Sequence, residues 1–144
     1  MDKAEHRNDD PDSTKAWRSM ILNEPETLAE VTAAFRSYEI ALGEEDVATL
    51  DSLFHESPFT VRFGVDGVLY GYEAIAAYRR ARRAQGGSPT QRRIDRSVIA
   101  SYGRHFATVD AEFTRDTGER GRLSLTWVRF VDGWKVVSTH LSIE

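Results

Sequence analysis

The chain has 144 residues, 40% of them hydrophobic and 10% aromatic, which is enough for one well-buried core and too few for two ordinary domains. With 19 Lys and Arg against 23 Asp and Glu, the net charge is −4, and no long block of one sign marks a dedicated nucleic-acid binder. The lack of cysteine excludes disulfides, thiolate nucleophiles and Cys-ligated metal, and no apolar run reaches the roughly 18 to 20 residues of a membrane span. With no apolar leader at the N-terminus either, a cytoplasmic protein without membrane contact is expected.

Residues 1–20 mix both charges with Pro11, Ser13 and Thr14 and show no helical or strand period, so they are expected to form a flexible arm ahead of a single domain over 21–144. Asn23-Glu24-Pro25-Glu26 offers a cap, an early-turn proline and an acid in the first turn, predicting a helix that starts with Asn23 as its cap. Leu28, Val31, Phe35, Tyr38 and Leu42 then step by three and four residues along one face, and Gly43 supplies a stop. Asp46 caps a short second helix bearing Val47, Leu50, Leu53 and Phe54.

Beyond Pro58, Phe59 to Phe63 alternates with period two, which sets Arg62 in mid-strand on the face opposite Phe59, Val61 and Phe63. A turn at Val65-Asp66-Gly67 returns the chain through Val68-Leu69-Tyr70, and a third helix over 71–83 carries Ala74, Ile75 and Tyr78 as its buried stripe. Four long antiparallel strands follow at 92–102, 105–115, 121–131 and 133–143, with turns at Asp116-Thr117-Gly118 and Asp132-Gly133. Helices gathered ahead of the main sheet define an α+β fold, in which a curled antiparallel sheet covered on one face by three helices encloses a conical cavity suited to a small ligand.

Specific segments recur within this frame: Asn23-Glu24-Pro25-Glu26 with Ala29 to Phe35, Tyr38-Glu39, Ser57 to Gly64, Leu69-Tyr70-Gly71, Thr126 to Arg129 and His140-Leu141-Ser142. As an ordered set they resemble the AtzH-like (HpxZ-like) family of the SnoaL/NTF2-like superfamily, over roughly residues 21–144. The resemblance implies an NTF2-like cone and a role in bacterial nitrogen catabolism beside an amidase. It further implies cofactor-independent C–N bond hydrolysis, or decarboxylating amidohydrolysis, of a small carboxylated urea of the 1,3-dicarboxyurea to allophanate type. The catalytic pair it implies maps onto Tyr38 and Arg62. Leu125 departs from the pattern, standing where a polar residue is expected before Thr126-Trp127.

Each candidate also has a plainer explanation in its surroundings. Arg62 inside a cone would grip a carboxylate with its planar donor fork; otherwise it is a solvent-facing charge or an ion pair with a helix acid such as Glu39. Tyr38 interrupts an aliphatic and Phe stripe, so its hydroxyl needs an interior partner or a wet pocket, and a phenol acts as a base only beside a cation. On the last strand, alternation groups Trp134, Val136, Ser138, His140 and Ser142 on one face. His140 is therefore a candidate acid or base, or a buried, hydrogen-bonded histidine. Phe35, Tyr70, Trp127, His140 and Ser142 are the candidate substrate contacts, although Trp127 and Trp134 also suit sheet packing.

No metal site is expected, because His6, His55 and His105 lie far from His140 in the chain and no paired His/Glu zinc motif is present. Segment 79–104 holds eight arginines against one acid, Asp95, but lacks interleaved aromatics, which suggests a solvated face or an acidic partner. Two other functions fit the same frame. One is a non-catalytic ligand-binding or accessory subunit of a neighbouring amidase. The other is a ketosteroid-isomerase-like or dehydratase-like enzyme using Asp110 and His140. A homodimer through the outer sheet face is expected in either case.

Overall fold

The computed structural model describes residues 20–86 and 91–144. All but the last residue of the expected N-terminal arm lie outside these. Helix α1 (Pro25–Glu44) and the short α2 (Val47–Leu53) form a hairpin, followed by strands β1 (Val61–Gly64) and β2 (Gly67–Tyr70) and helix α3 (Tyr72–Ala84). The long strands β3 (Arg92–Tyr102), β4 (Phe106–Arg115), β5 (Arg120–Phe130) and β6 (Gly133–Ile143) complete one six-stranded sheet in the order β2-β1-β6-β5-β4-β3.

The caps differ in part from the sequence expectation. Glu24, not Asn23, caps α1, its carboxylate accepting from the Thr27 backbone N–H at 2.9 Å. Asn23 instead exchanges hydrogen bonds with Ser101 on β3, which ties the entry of the domain to the far edge of the sheet. Helix α1 runs one residue past Gly43, and Glu45 in the left-handed region ends it. Asp46 caps α2 as expected, accepting from the Thr49 N–H.

The sheet is antiparallel except at one seam, where β1 runs parallel to β6 with Arg62 opposite Thr139. Phe59 lies in the turn before β1 and is 88% exposed, so the expected alternating strand begins only at Val61. The faces of β6 are set by a bulge. Register with β5 steps from Thr126–Ser138 to Trp127–Val136, leaving Val137 as the extra residue. Trp134 and Val136 therefore point into the core, and beyond the bulge it is Thr139 and Leu141, not His140 and Ser142, that turn inward.

The core lies between the concave sheet face and the helices. Val31, Phe35, Tyr38 and Ala41 come from α1, Leu50 and Phe54 from in and beside α2, and Ile75 from α3. They meet Val109, Phe113, Leu123, Leu125, Trp127 and Val136 on the sheet. Burying a large apolar side chain contributes about 1.5–3 kcal/mol, so this aromatic-rich contact fixes how α1 and α3 sit over the strands. Toward one end of the cone the apolar packing stops, and a cavity opens.

Candidate functional site

The cavity has a volume of about 330 Å³ and is floored by Leu123, Thr139 and Leu141. Helix α1 contributes Tyr38, β1 contributes Arg62, and the β1–β2 turn contributes Asp66. Tyr78, Arg79 and Arg82 come from α3, while Arg92 and Arg115 come from β3 and β4. Five guanidinium groups thus face two carboxylates, Glu45 and Asp66, on the wall among the described residues, an arrangement that favours an anion.

Tyr38 is only 7% exposed and is held by aromatic packing: Phe35 stacks at 6.5 Å, Phe54 tilts at 6.2 Å, and Trp127 meets it edge-on at 6.3 Å. Its hydroxyl end lies among arginines and acts electrostatically on both Arg79 and Arg92. Arg79 lies over the Phe54 ring at 4.2 Å and bonds Asp51 at 2.9 Å. Burial holds its pKa below the ordinary arginine value, with Tyr38 and Asp51 opposing the shift. In Arg92 burial again disfavours the cation, but hydrogen bonding to Glu39 and Tyr38 together with the Glu39 charge outweighs it, and the pKa is raised.

Arg62 occupies a more open position. Its guanidinium lies 4.9 Å from the Tyr78 ring centroid and 3.9 Å from Asp66, leaving the side chain 26% exposed. It folds back over Gly64, where a β-carbon would come within 2.8 Å of its Nη1. Asp66 accepts a short hydrogen bond from the Tyr78 hydroxyl, and this bond, ahead of the Arg62 charge, holds the Asp66 carboxyl below its ordinary pKa of 3.8. The sequence alternatives for Arg62 are thereby corrected: its acid partner is Asp66, and Glu39 belongs to Arg92, at 3.1 and 2.5 Å.

Tyr38 and Arg62 share the cavity, whereas the other five candidates do not line it. Phe35 and Trp127 are buried beneath Tyr38 and act as its packing platform. Tyr70 is 66% exposed and packs edge-on with Phe63. The bulge at Val137 sends His140 and Ser142 to the outer face, where His140 also meets Phe63 edge-on. Asp110 is likewise outside, accepting from Ser124 at 2.7 Å, so the isomerase-like reading loses both of its candidate groups from the cavity.

Arg79, Arg92, Arg115 and Tyr78 were not singled out as site residues from the sequence. Ile75, Arg79 and Arg82 fall at i, i+4 and i+7, so the apolar stripe of α3 runs directly into two arginines on the same face, a legible signal. The basic segment 79–104 is correspondingly not a single solvated face, since Arg79, Arg82 and Arg92 line the cavity. Among the described residues no cluster of His, Asp or Glu has metal-binding geometry, and no helix is long and apolar enough to cross a membrane.

A cone of three helices over a curled sheet is the NTF2-like architecture, and in this chain its open end is walled by arginines. A Salmonella enterica protein of the NTF2-like superfamily superposes with a TM-score of 0.68 at 23% identity, covering 82% of this chain and 91% of that one. More specifically, residues 20–144 match the AtzH-like family, and the chain belongs to it. A protein of unknown function from Pectobacterium atrosepticum is 42% identical, with a TM-score of 0.80 over 88% of this chain and 99% of that one. A cystatin-like-fold protein from Burkholderia xenovorans is 41% identical, with a TM-score of 0.79 over 87% and 97% of the two chains. No curated protein matches the chain.

Proposed function

We propose that the cavity is the active site of a cofactor-independent enzyme that cleaves a C–N bond in a small carboxylated urea, of the 1,3-dicarboxyurea to allophanate type. The observation that carries this reading is a tyrosine fixed on the wall of an arginine-lined cavity, its hydroxyl end beside Arg79 and Arg92. Arg62, more accessible than Arg79 and Arg92, binds a substrate carboxylate through its donor fork.

In the decarboxylating route, the Tyr38 hydroxyl gives its proton to the carbamate nitrogen. The N–C bond to the carboxylate then breaks with its electron pair passing to nitrogen, leaving an amine and carbon dioxide. The tyrosinate so formed is stabilised by the neighbouring guanidiniums and regains its proton from solvent. This route requires no protein nucleophile. In the hydrolytic route, water attacks the urea carbonyl polarised by the same cations, the C–N bond breaks with its electron pair and a proton passing to nitrogen, and the carbamate so released falls apart to ammonia and carbon dioxide. Product analysis on a panel of carboxylated ureas separates the two: carbon dioxide without ammonia marks the first route, ammonia marks the second, and release of neither contradicts both.

A homodimer forms part of the proposal. Val98, Tyr102 and Phe106 are 53%, 40% and 41% exposed on β3 and β4, an apolar area that a second copy would cover.

A further inference from the structure

Arg92 and Arg115 are direct register partners across β3 and β4, so their side chains leave the same face of the sheet, and both line the cavity. Like charges placed directly opposite one another on adjacent strands repel. Each arginine is partly compensated from behind: Glu39 holds Arg92, and Glu119 lies 3.2 Å from Arg115. The compensation is incomplete in hydrogen bonds, because Nη1 of Arg92 and Nε of Arg115 are buried without a partner. A buried guanidinium donor left unpaired is costly, and two guanidinium groups on one stretch of the cavity wall favour a carboxylate beside them.

The pair is well separated from Arg62. The strand order places β6 and β5 between β1 and β4, three strand spacings or about 14 Å along the sheet, with the floor residues Thr139, Leu141 and Leu123 between. Arginines thus stand on both sides of this floor, an arrangement that suits a short chain with an anion at each end.

We propose that Arg92 and Arg115 form a second anion subsite, so that the cavity selects ligands with two terminal carboxylates over those with one. The inference rests on the reading of this cavity as the substrate site and assigns the residues that determine its specificity. Glu39 is the positioning residue, since its two hydrogen bonds fix the plane of the Arg92 guanidinium.

The test is calorimetric titration of the full chain at low salt with glutarate, a stable dianion with the five-atom chain of 1,3-dicarboxyurea, and with butyrate, its monoanionic counterpart. The wild type binds glutarate at least about tenfold more tightly, as expected for charge-assisted hydrogen bonds to a second carboxylate. Arg115→Gln brings the two affinities together while butyrate binding and the melting temperature stay close to wild type. Arg92→Gln does the same if it folds, and Arg115→Gln decides the matter if it does not. Equal affinity for the two acids in the wild type, or a glutarate preference that survives Arg115→Gln, overturns the assignment. Turnover is not read in this titration. A dianion preference in a protein that releases no product would therefore retain the subsite and remove the reaction.

Discussion

Arg92 and Arg115 stand opposite one another on neighbouring strands, both turned to the concave side of the sheet, and the Arg92 guanidinium lies 4.7 Å from the centroid of the Phe113 ring. The Arg92 side chain is only 2% exposed, so its charge depends on Glu39. Removing one member of a buried ion pair typically costs about 3–5 kcal/mol, because the other is left uncompensated. Glu39 retains 18% exposure, which places the expected loss for Glu39→Ala at the lower end, about 3 kcal/mol in denaturant unfolding. A loss under about 0.5 kcal/mol, the size seen at ordinary surface sites, would show that Arg92 does not need Glu39.

The same corner makes Gly121 a sensitive position. A β-carbon there would come within 2.5 Å of both the Phe113 ring and the Ser142 carbonyl oxygen, and the backbone oxygen cannot yield as a flexible side chain would. Gly121→Ala should destabilise the fold by about 1–3 kcal/mol. It should also weaken glutarate binding, since displacing Phe113 moves the surface on which Arg92 rests. An unchanged melting temperature would contradict this packing.

Acid should weaken the protein through identifiable groups. The Thr49 side-chain and backbone hydrogen bonds hold Asp46 below its ordinary 3.8, and the Tyr78 hydrogen bond does the same for Asp66. A carboxyl depressed in the folded state stabilises it fully above the unfolded pKa, and that contribution disappears as pH falls through the folded value. The melting temperature should therefore begin to drop as pH falls toward 3.8 and go on dropping below it, with a shallower drop in Asp46→Asn and in Asp66→Asn. Equal slopes in wild type and both variants would contradict the assignment.

The outer face yields a prediction on assembly. If Val98, Tyr102 and Phe106 are covered by a second copy, sedimentation shows a dimer, and Val98→Asp with Phe106→Asp shifts it to monomer while the cavity still binds glutarate. A wild-type monomer at all concentrations would contradict the dimer. Co-sedimentation with an amidase through this face would favour the accessory-subunit role instead.

Much of the fold was legible in the sequence because periodicity encodes it. The stripe from Val31 through Phe35 to Tyr38 and the long alternating strands are written directly in residue spacing, and the observed β3 and β6 coincide with the expected 92–102 and 133–143. The β1–β6 seam was not legible, since a parallel pairing between distant segments leaves no local mark. A single bulge at Val137 was equally silent, and it reversed the faces of His140 and Ser142 while leaving those of Trp134 and Val136 intact. Spacing marked Tyr38 only as a polar residue on an apolar stripe and Arg62 only as a charge in mid-strand; the family resemblance joined them as a pair. Arg92 and Arg115 are 23 positions apart in the sequence and are brought together only by strand register.

The central claim is that Tyr38 and Arg62 act on a carboxylated urea inside this cavity. It is tested most directly by measuring carbon dioxide and ammonia release from 1,3-dicarboxyurea and related amides with wild type, Tyr38→Phe and Arg62→Met. The account predicts release by the wild type and a loss of at least about a hundredfold in Tyr38→Phe, as for removal of a general acid, with the fold unchanged. It predicts that Arg62→Met loses turnover together with carboxylate affinity. Undiminished release in Tyr38→Phe, or no release by the wild type from any member of the panel, would contradict it.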